Sequence, residues 1–382
     1  MRILGSSRNQ VKAKMKKILF ILHLPPPVHG AAMMGKYIHD SEWINSEFNC
    51  SYINLTTASS LEDIGKVGLR KLTTFVRLLM KIRRAVTEQT PDLVYITPNS
   101  AGGAFYKDFV VVMMLKMLGC RIVAHYHNKG IATRQDRWLD NMLYRHFFKD
   151  IKVILLAEPL YADVRKYVSR ESVYICPNGI PEEHERHLET VREDNVPHLL
   201  FLSNLLIDKG VLVLLDALKI LKNRGYSFVC NFVGGETAEI DAQRFTEEVG
   251  KRALNGMALY KGKKYGADKA AEFEASDIFV LPSLNEAFPL VNLEAMSYKK
   301  PIVSTNVGGI TEAVVNGENG LICESNDPNA MAHCLQRLFD EKDLCIKMGN
   351  EGYKIFKERF TDKVFLKRLR WILVECLEQE NY

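Results

Sequence analysis

Several common signatures are missing from this sequence. Its eight cysteines form no Cys-x-x-Cys pair and keep no zinc-ligand spacing, which argues against a disulfide scaffold or a structural zinc site and for reduced core thiols. No Asp-x-Asp occurs, so the common carboxylate pair that holds a diphosphate through a divalent cation is lacking. No Gly-x-Gly-x-x-Gly follows a strand-like run, which weakens a dinucleotide-dependent oxidoreductase. Nothing resembles a recognition helix, an RNP motif or a zinc finger, and nucleic acid is not an expected partner. No apolar run approaches the length of a membrane span. Tandem repeats and low-complexity tracts are absent too.

What is present is an ordinary α/β composition, 47% hydrophobic and 25% charged over 382 residues, enough for about two cores. The net charge of +5 is unevenly spread. Residues 1–180 carry 26 Lys and Arg against 14 Asp and Glu, a net +12, and residues 181–382 carry 25 against 32, a net −7. A basic first half fits an anionic leaflet or a lipid-phosphate acceptor, with peripheral placement at the cytoplasmic face of a membrane. Lys12, Lys14, Lys16 and Lys17 before Ile18 to Leu22 have the look of a signal peptide, but three prolines and no small-x-small cleavage site follow. A buried first strand after a flexible basic tail, 1–15, is the expectation.

Short β-rich runs alternate with helical stretches throughout. Lys17–Leu22, Ser51–Leu55, Asp92–Thr97, Arg121–His127, Lys152–Ala157 and Ser172–Cys176 read as strands, and their continuous apolar character fits a parallel sheet buried on both faces. Amphipathic stretches at Leu69–Gln89 and Phe105–Leu118 supply helices. Pro181–Pro197 is polar and aperiodic, a linker. The rhythm then restarts with His198–Ser203, Ser227–Val233, Ala258–Tyr260, Asp277–Leu281, Pro301–Thr305 and Gly320–Cys323. The reading is α/β, with two doubly wound Rossmann-like domains, 16–180 and 198–355, facing across a cleft. A last helix, starting near Glu351 and forming a returning segment over 356–382, crosses back to the first domain.

In such a fold ligands bind beyond the carboxyl ends of the strands. After the run ending at Leu281, a loop carries Glu286, and Pro289 sits where a first helical residue would be, with Glu294 more than a turn inside. The amides of Ala287, Phe288, Leu290 and their neighbours would then be helix N-terminal donors suited to phosphate. Lys209, just before a helix beginning near Val211, adds a point charge to another such terminus. His125 and His127 fall on one side of their strand by the period of two.

The stretch Asp277-Ile-Phe-Val-Leu-Pro-Ser-Leu-Asn-Glu-Ala-Phe-Pro-Leu-Val-Asn-Leu-Glu-Ala-Met-Ser, then Pro301-Ile-Val-Ser-Thr-Asn-Val-Gly-Gly and Asn316-Gly-Glu-Asn-Gly-Leu, resembles the signature of glycosyltransferase family 4, with its two glutamates separated by seven residues. Pro177-Asn178-Gly179-Ile180 is similar to that family's inter-domain segment, and Ser203-Asn204-Leu205 through Lys209-Gly210 to its Gly-Arg-Leu…Lys-Gly motif, with Asn204 where an arginine is usual. The resemblance implies a GT-B fold and retaining transfer from a UDP- or GDP-sugar donor to a glycan or lipid-linked acceptor, with no metal and no other cofactor. It implies catalytic roles for Glu286, His127 and Lys209, and donor contacts from Gly30, Asn204, Lys209, Lys263, Ala287, Phe288, Pro289, Leu290 and Glu294. The resemblance places acceptor choice in loops such as Thr56–Leu69 and Lys129–Asp136. A nucleotide-sugar epimerase, a nucleotide-sugar-binding protein without turnover and, more remotely, a Rossmann oxidoreductase are the alternative readings.

Overall fold

The computed structural model describes residues 15–27, 29–55, 69–182 and 196–379. The basic tail before residue 15, most of the 56–69 loop and most of the 181–197 linker lie outside them. The first domain runs β1 (Lys17–Leu22), α1 (Gly30–His39), α2 (Glu42–Glu47), β2 (Asn49–Asn54), α3 (Leu69–Gln89), β3 (Leu93–Ile96), α4 (Gly102–Met117), β4 (Ile122–His125), α5 (Trp138–Phe148), β5 (Lys152–Leu155), α6 (Tyr161–Val164) and β6 (Val173–Ile175). The second begins with β7 (His198–Leu202), α7 (Val211–Asn223), β8 (Val229–Val233), α8 (Ala242–Lys251), β9 (Ala258–Tyr260), α9 (Gly266–Ala275) and β10 (Ile278–Leu281). It continues through α10 (Leu290–Ser297), β11 (Ile302–Thr305), α11 (Ile310–Ala313), β12 (Gly320–Cys323), α12 (Pro328–Asp340), α13 (Lys342–Arg359) and α14 (Asp362–Glu378).

Each sheet is parallel and six-stranded, ordered β2-β1-β3-β4-β5-β6 and β12-β11-β10-β7-β8-β9. The chain therefore reverses its direction across the sheet between β1 and β3 in one domain and between β7 and β10 in the other, and a crevice opens at each reversal. Strand β1 shows why both faces must be covered. Ile18, Phe20 and Leu22 pack with α1, α2 and α14, while Leu19 and Ile21 pack with α3, α4 and α5. Alternation of side chains along a strand enforces this division.

The expected single returning helix is two helices, broken at Phe360 and Thr361. The Thr361 hydroxyl accepts from Val364 N at 3.3 Å and starts α14 afresh. Its backbone joins the crossing strand segment, where Ile180 N donates to Phe360 O at 3.0 Å and Asp362 N to Ile180 O at 2.8 Å. Gly179 is required here, because a Cβ would lie 2.3 Å from Thr361 O. Helix α13 packs on α10 of the second domain, and α14 buries Phe365, Leu369, Ile372, Leu373 and Cys376 in the first. Each large apolar side chain so covered stabilises that return by roughly 1.5–3 kcal/mol. Arg121 donates to the terminal carbonyls of α14, at 2.7 Å for Gln379 O, a cation where the helix dipole favours one.

Candidate functional site

At the second-domain reversal, the loops after β7 and β10 are built against one another. Leu284 N donates to Asp208 O at 2.8 Å. Gly210 has φ +77°, and a Cβ there would meet Pro282 O at 2.0 Å. Glycine thus permits both the left-handed turn that opens α7 and the contact that brings Lys209 over the β10 loop. Lys209 Nζ and Glu286 Oε1 form an ion pair, and Ser283 Oγ donates to the same oxygen at 3.4 Å. The Gly-Gly turn after β11 props this loop from beneath. Gly308, at φ +58°, would place a Cβ 1.9 Å from Glu286 O, and Gly309 N donates to Ala287 O at 2.7 Å. The Asn-Gly loop is tied in the same way by Asn319, whose buried amide accepts from Val315 N at 2.7 Å and donates to Ala313 O at 2.9 Å.

Pro289 is the cap before α10 rather than its first residue, with ψ 116°, and the helix begins at Leu290 without a side-chain cap. Its extended ψ sets the chain entering the helix, and the first N–H groups remain available to a ligand. Phe288 is buried and packs 5.9 Å from Phe360 at the domain junction, so what it offers the cleft is backbone. Glu294, one turn on, accepts from Lys269 of α9 at 2.9 Å. Lys269 is a neighbour the sequence reading lacked, 25 residues away in the chain and adjacent only through the packing of α9 beside α10. Asn204 does not act as a substitute cation. Its Oδ1 accepts from Gly235 N at 3.0 Å and fastens the loop after β8. Lys263 lies over that same glycine, since a Cβ on Gly235 would come 2.2 Å from Lys263 Cε. Asn204, Gly235 and Lys263 therefore form one rim, and Lys209, Glu286 and the start of α10 form the floor.

The first domain faces this floor with the loops after β1 and β4. Gly30, at the start of α1, would place a Cβ 3.7 Å from Leu290 Cδ1, so the beginnings of α1 and α10 meet across the cleft. His29 caps α1 through Nδ1, which accepts from Ala32 N at 3.4 Å. Strand β4 ends at His125, earlier than its apolar pattern suggests, leaving His127 on the loop. His125 is a core residue, its Nδ1 2.6 Å from Tyr95 Oη. His127 lies against it, the ring centroids 4.3 Å apart and the planes tilted by 35°, and its Nδ1 is 3.1 Å from Asn178 Oδ1. That oxygen can only accept, so the proton sits on Nδ1 and Nε2 is an acceptor. Nε2 is buried with no partner among the described residues.

Burial chiefly sets the charges here. It holds the His127 imidazole down to about 4, helped by the nearby His29 and opposed by the Asn178 bond. Burial also takes His23 down to about 3, with Lys107, His29 and His127 adding in the same direction. Both rings are neutral near neutral pH. Lys129, just beyond His127, is shifted downward by burial and the charge of Lys209, against the pull of Asp163 and Glu286. This lysine reaches the field of the Lys209–Glu286 pair from the opposite domain, a role its bare position in the sequence did not reveal. Among the described residues no group of three or more His, Cys, Asp or Glu is arranged to hold a metal ion. No helix among them is long and apolar enough to cross a membrane.

Residues 182–355, somewhat under half of the chain, match the family model described as Glycosyl transferases group 1. Curated relatives include the capsular polysaccharide biosynthesis glycosyltransferase CapM of Staphylococcus aureus, 26% identical over 169 residues, covering 44% of this chain and 43% of that protein. The D-rhamnosyltransferase WbpZ of Pseudomonas aeruginosa is 29% identical over 250 residues, covering 63% of each. The matched stretches thus span between about two fifths and under two thirds of those relatives. Likeness to solved structures extends over almost the whole chain. Sucrose-phosphate synthase from Thermosynechococcus elongatus has TM-score 0.74 at 17% identity, covering 95% of this chain and 99% of that one. Anabaena HepE in complex with UDP has TM-score 0.72 at 16% identity, covering 94% and 100%. The fold is the GT-B arrangement of two Rossmann-like domains.

Proposed function

We propose that the chain is a retaining glycosyltransferase that moves a sugar from a nucleoside diphosphate donor to a hydroxyl of a cell-surface or lipid-linked glycan. The observation that carries this reading is the meeting of Lys209, Glu286 and the uncapped start of α10 at the second-domain reversal, opposite Gly30 and His127. The matched family and the polysaccharide-related relatives support it, as does the UDP held by a protein of the same fold.

In this account the diphosphate competes with Glu286 for Lys209. When it lies against the α10 amides, the lysine turns from carboxylate to phosphate, since a dianionic group is the stronger partner for a compact ammonium. Glu286 is then released toward hydroxyls of the donor sugar. Glu294, paired with Lys269, accepts from the ribose. His127, neutral and with Nε2 as acceptor, takes a sugar hydroxyl near the reacting carbon. As the glycosidic bond lengthens, negative charge grows on the leaving phosphate, and Lys209 and the helix amides stabilise it there. The leaving phosphate takes the acceptor's proton, so the scheme needs neither a carboxylate nucleophile nor a metal. Lys263 and Asn204 line the base end.

The test is a thermal-shift screen with UDP, GDP, ADP, their sugars and NADPH, because a ligand of the native state raises its melting temperature by mass action. One nucleotide or its sugar is expected to stabilise the protein. Stabilisation by NADPH alone would turn the assignment toward an oxidoreductase.

A further inference from the structure

Eight of the fourteen large hydrophobic side chains exposed among the described residues lie on three adjacent helices of one face, α3, α4 and α5. Helix α4 is central and touches both neighbours. Its outward stripe is Tyr106, Val110, Met113 and Met117, spaced by four, three and four residues, which is one side of a helix. Met117 is 83% exposed and Val110 43%. Val76 and Met80 on α3 and Trp138 and Met142 on α5 continue the apolar surface to either side, with Trp138 78% exposed. A surface helix normally turns charge outward along such a stripe.

The charge around this stripe is predominantly basic, with Asp136 just before α5 and Asp150 just after it as exposed acids. Arg77, Lys81, Arg83 and Arg84 are exposed on α3, against a single acid, Glu88, which pairs with Arg84 at 2.7 Å. Helices α4 and α5 each contain one acidic residue, Asp108 and Asp140, and both are buried. Arg145 and Lys149 extend the basic margin beyond α5.

We infer that the α3–α4–α5 face docks on a lipid bilayer bearing anionic headgroups. Such a surface meets both halves of the pattern at once, with headgroup phosphates for the arginines and the interfacial and acyl region for methionine, valine and tryptophan. A polyanion such as nucleic acid would use the basic margin and leave the aliphatic stripe in water. A second copy joined face to face would bring two basic margins together, at a cost in like-charge repulsion. Helices α4 and α5 start at the carboxyl ends of their strands, so the docked face runs from the cleft rim downward and the cleft opens beside the membrane. This placement does not depend on the identity of the donor.

Vesicle flotation at low ionic strength tests the inference, with equal parts phosphatidylglycerol and phosphatidylcholine compared with phosphatidylcholine alone. The wild type is expected to float with the anionic vesicles only. Arg77→Gln/Lys81→Gln/Arg83→Gln should lower partitioning at least tenfold, since each basic side chain near such a surface is worth roughly fivefold. Val110→Glu/Met117→Glu should abolish it while leaving the melting temperature unchanged, because both positions are exposed. In a Trp43→Phe/Trp371→Phe background, Trp138 emission should shift to the blue on binding and be quenched by brominated lipid. Failure to float, or flotation unaffected by the two glutamates, would overturn the inference. So would a dimer on size exclusion that those glutamates dissociate, since the face would then be a self-association surface.

Discussion

Acid should destabilise this protein through the histidines at the domain junction, and His127 gives the cleanest perturbation. Its folded value is about 4 because burial penalises the imidazolium, whereas in the unfolded chain the imidazole has its ordinary value of 6.5. Lowered in the fold, the group leaves stability intact above pH 6.5; as pH falls the unfolded chain takes up the proton first, and stability is lost until the folded value is reached. Between pH 7.5 and 5.0 the loss works out at about 2 kcal/mol for this one ring, from the ratio of proton binding in the two states. His23, held at about 3, acts in the same sense, but its shift includes the His127 charge, so the two do not simply add. Urea melts of wild type and His127→Gln at the two pH values measure the effect. The variant should lose less stability on acidification than the wild type, by about 2 kcal/mol, whatever its stability at pH 7.5. Equal losses, or an imidazole of His127 titrating near its ordinary value by NMR, would refute the argument that burial keeps it neutral.

Other expectations follow from the same contacts. Gly210→Ala should lower stability by roughly 1–2 kcal/mol from the left-handed backbone alone, and more from the clash with Pro282 O; a melting temperature equal to wild type would contradict the loop contact. Gly235→Ala should displace Lys263 and weaken nucleotide affinity with little change in melting temperature, as read by calorimetric titration. Lys269→Met should release the Glu294 carboxylate and weaken binding of a nucleoside diphosphate more than binding of inorganic diphosphate, because the lost contact lies at the ribose; equal weakening would place Lys269 at the phosphates instead.

Much of the architecture is written in local pattern. The β1 run Ile18 to Leu22 is apolar at every position because it is covered on both faces, and each of the twelve strands read from such runs is found within a few residues of its expected limits. Less legible is what depends on strand order. Lys209 and Glu286 are 77 residues apart and meet because β7 and β10 are neighbours, while Lys269 meets Glu294 through helix packing. His127 and Asn178 join across 51 residues for a similar reason. Local reading also went astray at helix ends. Continuous helical propensity hides the break at Phe360, which a tertiary bridge to Ile180 enforces, and Pro289 proved to be a cap. The Asn204 side chain carried no sign that its partner would be a backbone amide on the next loop.

The most direct test of the central claim is a calorimetric titration of the nucleoside diphosphate that stabilises the wild type, repeated on Lys209→Ala and Glu294→Ala. One charge-assisted hydrogen bond lost in each case, worth roughly 1.5–3 kcal/mol, predicts affinity at least tenfold weaker in both variants, with melting temperatures that still report a folded protein. Affinities within twofold of wild type in both would contradict a donor site at the start of α10.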